Sequence, residues 1–199
     1  MIPRKEITKA WAQYWKKYHL CLALPDTIEA YLQSVDKDVR TQCNKATRNG
    51  LVAKWTTEPQ RDDIAAIWHS WSEKQGRPIN LTIGHTDPNM GSQTIGSKWP
   101  FDYYEHTQGY HDLIQVYTPT GVVVAYLELA SDGPESVVFS TLGHKNYLRL
   151  GVMKFLFVEA VRGLIDRGST ALYYMKPKYL EQHPESAPFV NDLRFKVAS

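Results

Sequence analysis

Across residues 122–175 the apolar residues change period twice, and this constrains the fold more than any other feature. Val122, Val124, Tyr126 and Glu128 fall on one side of a strand, and Val123, Ala125, Leu127 and Leu129 on the other. A turn at Asp132-Gly133-Pro134 leads into a second strand over 135–142, and residues 143–150 form a loop. From Gly151 to about Arg167 the spacing becomes helical. Met153, Leu156, Phe157, Ala160, Val161 and Leu164 face a sheet, and Lys154, Arg162 and Asp166 face water. Residues 171–175 alternate again until Pro177. A further strand at 111–118 precedes this unit, joined by the turn Pro119-Thr120-Gly121. Three meander strands, a helix and a strand predict an α/β sheet with a helical crossover.

The N-terminal part is read as helical through residue 50. Ile7, Ala10, Trp11, Tyr14, Trp15 and Tyr18 recur at helical spacing over 4–20. Asp26 or Thr27 caps a second helix bearing Ile28, Tyr31, Leu32 and Val35. A third runs from about Asp36 to Asn49 and stops at Gly50. Its polar face carries Lys37, Arg40, Lys45 and Arg48. Residues 51–56 alternate as a strand, and 60–75 are helical with Ile64, Ile67, Trp68 and Trp71 buried. Residues 76–109 are polar, rich in Gly and Pro, and without a long periodic run apart from a short helix near 101–105. A loop of that length inside a domain reads as a lid or binding segment. Aromatic residues concentrate there, at Trp99, Phe101, Tyr103, Tyr104 and Tyr110, and suit either a stacking surface or a local plug.

At 199 residues and 43% hydrophobic, the chain suits one folded domain spanning 1–199. No apolar run reaches the length of a membrane span, and the first residues lack a signal-peptide core. Two cysteines, Cys21 and Cys43, with no CxxC pair, exclude a disulfide framework and a cysteine zinc site. A cytoplasmic location is therefore expected. His85, His106 and His111 have no standard ligand spacing, so no metal is expected. The net charge of +2 conceals an asymmetry. Residues 1–60 carry +4 and the remainder −2, which points to an anionic partner such as tRNA or DNA near the basic helix. Templates for serine hydrolases, zincins, P-loop enzymes and dinucleotide binders are absent.

The element order over 122–175 resembles the GNAT acyltransferase superfamily, whose sheet is mixed, mostly antiparallel and flanked by helices. The stretch IEAYLQSVDKDVRTQCNKATRNGLVAKW resembles the segment that leads into the first strand of Fem-type and lysyl-phosphatidylglycerol-synthase-type aminoacyltransferases. LGVMKFLFVEAVRGLIDRGSTALYY is similar to the core helix and strand of that branch. Together these cover 27–60 and 111–176. The resemblance implies transfer of an acyl or aminoacyl group, from acyl-coenzyme A or an aminoacyl-tRNA, to an amine acceptor. It also implies that the loop before the core helix meets the donor, through Lys145, Arg149, Leu150 and Gly151. The superfamily pattern Q/R-x-x-G-x-G/A keeps only its central glycine here, Gly151. Leu148 and Met153 hold the outer positions, and relatives that use aminoacyl-tRNA do not share that pattern. Fem-type enzymes pair two such domains, so this chain acts alone or as a homodimer. Two other readings stay open: a GNAT-like enzyme that modifies DNA bases, and a GNAT-like binding module without activity.

Glu128 is the candidate base, as the one acidic residue inside an apolar strand. His144 is its rival beside the loop. Tyr173 and Tyr174 point to opposite faces of their strand, and Tyr174 is assigned the acid role toward the cleft.

Overall fold

A computed structural model describes residues 16–56, 59–71, 73–74, 77–78 and 110–197. Strand β1 (Leu20–Ala23) comes first, then helix α1 (Ile28–Ser34) and helix α2 (Lys37–Arg48). Both helices start where the sequence places a cap. Thr27 is extended and accepts the Ala30 N–H at 3.2 Å, and Asp36 accepts the Asp38 N–H at 2.8 Å. Strand β2 (Val52–Thr56) leads to α3 (Arg61–His69), followed by a small hairpin of β3 (Glu73–Lys74) and β4 (Arg77–Pro78). Asp63 in the first turn of α3 accepts the Val123 N–H at 2.8 Å and so pins that helix to the sheet. Strands β5 (Tyr110–Tyr117), β6 (Val123–Asp132) and β7 (Glu135–Gly143) form the meander. A 3-10 segment (Lys145–Leu150) and α4 (Val152–Asp166) then carry the chain to β8 (Ala171–Tyr174). Helices α5 (Pro177–Gln182) and α6 (Ala187–Asp192) and strand β9 (Lys196–Val197) close the described chain.

The seven-stranded sheet has the order β2-β5-β6-β7-β8-β1-β9. Every neighbouring pair is antiparallel except β7 and β8, which are parallel because α4 returns the chain to the sheet's other end. Eight buried residues of α4, among them Leu156, Phe157 and Val161, cover Ile114, Val116, Leu127, Leu129 and Leu172. Helix α2 backs onto α4 through Val39 and Ala46. The opposite face carries α3, whose Ile64 and Ile67 pack on Leu113, Tyr126 and Leu142. Each face loses its apolar stripe to a different helix, so the strands between them are buried on both sides.

Three expectations need correction. Leu20 does not close the helix read over 4–20 but opens an inner strand, Leu20–Ala23, paired with β8 and β9 and burying Leu20 and Leu22. Four residues have too short a period to separate strand from helix, and only the partner strands decide it. The helix expected to reach residue 75 ends at His69. Lys154 does not face water. Its side chain is 14% exposed and bridges Asp38 of α2 to Asp192 of α6, the latter at 2.7 Å. The loop of 76–109 and its short helix lie outside the described residues, save 77–78 in β4, as do residues 4–15 of the helix read over 4–20.

The Lys154 bridge makes a prediction about pH. Hydrogen bonding from Lys154 holds the Asp38 carboxyl below the ordinary carboxylate range, so its contribution is present above that range and lost as pH falls through the lowered value. Lys154→Met should lower the melting temperature at pH 7 by about 2–4 °C. The gap from wild type should narrow as the pH drops through the carboxylate range. Thermal melts across pH check this, and a gap that stays constant into acid would assign the loss to packing instead.

Candidate active site

The parallel contact between β7 and β8 is short. Glu135, Ser136 and Val137 pair with Ala171, Leu172 and Tyr173, and the strands separate beyond that point. The same stretch of β7 is irregular on its other edge. Glu128 pairs with Ser140 but Leu129 with Val138, so Phe139 is an extra residue in the ladder. The bulge turns Phe139 outward, 40% exposed. The gap is a cleft of about 330 Å³ with Val138, Phe139, Ser140 and Thr141 on the β7 side and Tyr174 and Met175 on the β8 side.

Glu128 is fully buried on the face that α3 covers, between Leu113 of β5 and Ser140 of β7. Directly opposed side chains lie about 5 Å apart, so its carboxylate is one strand inside the cleft wall that Ser140 lines. Tyr126, two residues earlier on the same face, adds a hydroxyl. Its oxygen lies 3.1 Å from the Ser140 hydroxyl and accepts the Trp68 indole N–H at 3.1 Å. Burial pushes the Tyr126 phenol up, the bonds to Ser140 and Trp68 oppose it, and Glu128 adds to the rise.

Tyr174 lies on the opposite face, against Phe157 at 5.0 Å and Phe195 at 5.7 Å between ring centroids. Burial raises its phenol as well, so the hydroxyl stays protonated at the cleft. His144 sits elsewhere. It is four residues past Ser140 along the chain, about 13 Å at strand rise. Its Nδ1 accepts the Asn146 N–H at 3.3 Å, which leaves Nε2 as the protonated nitrogen of the neutral ring. Tyr174 therefore lines the cleft, while Glu128 is buried one strand behind its Ser140 wall and His144 lies outside the lining.

The loop after β7 is closed on itself. The Lys145 N–H donates to the Ser70 hydroxyl at 3.0 Å, the Tyr147 N–H to the His144 carbonyl at 2.9 Å, and the Gly151 N–H to the Leu148 carbonyl at 3.0 Å. Gly151 has φ +78°, and a Cβ there would lie 2.6 Å from the Gln42 carbonyl oxygen and 2.8 Å from its side chain. Its lack of a side chain thus serves the approach of α2. Met153 folds back over Gly143, where a Cβ would meet its sulfur at 2.7 Å. Leu150 packs on the main core, and the side chains of Lys145 and Arg149 are exposed. On α2, Lys37, Lys45 and Arg48 are exposed. Arg40 departs from them, because its Nη1 donates to the Leu32 and Val35 carbonyls at 2.7 and 2.9 Å and closes the end of α1.

Sequence reading missed Tyr126, Ser140 and the cleft residues past β8. Tyr126 carried a signal, since it shares the Glu128 face at period two. The others carried none, because the bulge and the strand separation bring them together. Among the described residues no group of three or more His, Cys, Asp or Glu could hold a metal ion, and no helix is long and apolar enough to cross a membrane.

No protein-family model and no curated protein matches the sequence. Solved structures do match. L-PGS from Bacillus licheniformis superposes with a TM-score of 0.52 at 12% identity, covering 81% of this chain and 46% of its own. The C-terminal DUF2156 domain of a protein assigned as lysylphosphatidylglycerol synthetase, from Agrobacterium fabrum, gives 0.57 at 14% identity, over 91% and 57%. The chain spans about half the length of the solved proteins it matches. Its fold is GNAT-like, a mixed and mostly antiparallel sheet flanked by helices.

The end of α3 clamps the site, because the Trp71 indole N–H donates to the Gly143 carbonyl at 2.9 Å where β7 runs into the loop. Trp71→Phe keeps most of the ring and leaves that carbonyl without its donor. A loss of about 1 kcal/mol in urea denaturation is expected. An unchanged midpoint would mean that this hydrogen bond is not holding the loop.

Proposed function

We propose that this chain is a GNAT-fold transferase that moves an aminoacyl group from an aminoacyl-tRNA to an amine acceptor in the β7–β8 cleft. The observation that carries the reading is Glu128, a fully buried carboxylate set across from the cleft-lining Ser140. In the proposed step the acceptor nitrogen attacks the ester carbonyl, and Glu128 takes the proton that the nitrogen sheds. The C–N bond forms, the ester C–O bond breaks, and Tyr174 supplies a proton to the departing ribose oxygen. Burial favours the acid role of Tyr174, since it pushes the phenol up and keeps it protonated until the leaving oxygen takes the proton.

The loop supports the choice of donor. A coenzyme A pyrophosphate needs free backbone N–H groups and a close approach at the start of the core helix. Here Gly151 is covered by Gln42, Met153 lies over Gly143, and the N–H groups of Lys145, Asn146, Tyr147 and Gly151 already have acceptors. An aminoacyl-tRNA makes no such demand, and exposed Lys37, Lys45 and Arg48 on α2 with Lys145 and Arg149 on the loop offer cations to its phosphates.

The test is single-turnover transfer from charged tRNA to a panel of primary amines. Glu128→Gln should slow transfer about 10²–10⁴-fold and abolish the alkaline-rising limb of the pH–rate profile. His144→Gln should stay near the wild-type rate. A collapsed rate for His144→Gln with a near-normal Glu128→Gln enzyme would move the role to His144. Consumption of acyl-coenzyme A but not charged tRNA would overturn the donor assignment, and inertness toward both would leave a binding module.

Binding of tRNA should also weaken steeply with salt. Replacing Lys45 and Arg48 by Gln should flatten the log–log slope by about 0.7–0.9 for each phosphate that is no longer neutralised. An unchanged slope would make that face of α2 ordinary solvated surface.

A further inference from the structure

A second hollow, of about 680 Å³, opens at the far edge of β1 and shares no lining residue with the β7–β8 cleft. It exists because β9 starts late. Arg194 has φ +69°, a left-handed conformation that a residue with a side chain seldom adopts, and it turns the chain out of α6 with its N–H taken by the Asn191 carbonyl at 3.0 Å. Lys196 and Val197 then reach the ladder, opposite Cys21 and Leu20. Leu22 and Ala23 of β1 have no strand beside them on that edge among the described residues. Helix α1 borders the gap with Ala30, Tyr31 and Ser34, and Tyr173 of β8 also lines it.

The charge of this hollow is one-sided. Arg194 and Lys196 line it, and among the described lining residues there is no carboxylate. Neither cation forms an ion pair among the described residues. Arg194 gives its Nε–H to the Ser34 carbonyl at the end of α1, which ties the guanidinium to the rim. Its two Nη groups have no acceptor among the described residues and form a planar fork that matches an oxyanion. The remaining titratable groups are neutral, because burial pushes the Cys21 thiol and the Tyr31 and Tyr173 phenols up. Glu135 acts on Cys21 and Tyr173 from outside the lining and is itself paired with Lys16 at 3.0 Å. Two like charges two residues apart repel, and an anion between them removes the repulsion and gains charge-assisted contacts to both. Leu22, Ala23, Pro25, Ala30 and Val197 make the rest of the lining largely apolar.

We infer that this hollow is a binding site for an oxyanion, a carboxylate or a phosphate monoester, carried on a short apolar body. Arg194 and Lys196 hold the anionic head, and α1 with the bare edge of β1 receives the body. The site is separate from the β7–β8 cleft, and the inference stands apart from the transferase reading.

Calorimetric titration of the full chain with three small probes tests it: hexyl phosphate, hexanoate and hexylammonium. Wild-type protein should bind at least one of the two anions saturably, and the anion that binds distinguishes a phosphate from a carboxylate. Hexylammonium should not bind. Lys196→Glu should weaken the anion about tenfold or more. Ala30→Phe fills the hollow from the exposed side of α1 without changing its charge, and should weaken the anion at least as much. Lys178→Glu makes the same charge change on α5, outside the lining, and should leave the affinity as it was. Circular dichroism confirms that the three variants fold. No saturable binding of either anion, hexylammonium binding as tightly as the anions, equal losses in Lys196→Glu and Lys178→Glu, or full affinity in Ala30→Phe would each overturn the inference. None of these titrations depends on turnover, so an inactive protein that binds the anion through Lys196 would refute the transferase reading alone.

Discussion

The parallel pairing of β7 with β8 over only three residues is the constraint on which the rest of the site depends. Antiparallel neighbours on either side keep their ladders, so the sheet remains one body while this single seam opens. Two features hold the seam apart. The bulge at Phe139 bends β7 away from its regular path, and the positive φ of Met175 ends β8 and directs the chain into α5. A continuous ladder would leave no cleft. Complete separation of the strands would uncover Leu172 and Val138 of the core. The short pairing satisfies both demands and leaves a cleft between the strands lined by residues of both.

Closure of the loop after β7 is a second consequence of packing. The N-terminus of a helix is in general a ready place for an anion. Here α2 lies across that end. The Gln42 carbonyl approaches Gly151 so closely that no side chain fits between them, and Lys154 of the first turn of α4 is drawn into a bridge to Asp38 and Asp192. From the other side α3 reaches over with Ser70 and Trp71, which bond to Lys145 and Gly143. The loop is therefore held by two helices distant in sequence.

Glu128 illustrates how a polar residue can be legible and its setting not. A lone carboxylate in an apolar strand is visible in the sequence, and its period-two partner Tyr126 is visible beside it. Its burial depends on α3 and on β5 and β7 flanking β6, which is a fact of topology. The same holds for Lys154, which sequence pattern placed in water. Helical spacing tells which side of α4 faces the sheet, but a second helix layer covers its flank.

By itself the sequence determined the local elements: the capped α1 and α2, the meander, the core helix and the crossover that makes β7 and β8 parallel. Each is written in short-range periodicity, turn residues and caps, whose physics acts within a few residues. Tertiary structure alone decided that Leu20–Ala23 is an inner strand, that Arg40 closes α1, and that Gly151 serves the packing of α2. It alone assembled His19, Ser140, Lys176 and Tyr179 around one cleft. Those outcomes rest on interactions between residues far apart in the chain, whose energies no local pattern encodes, and on a strand separation that exists only once both strands are in the sheet.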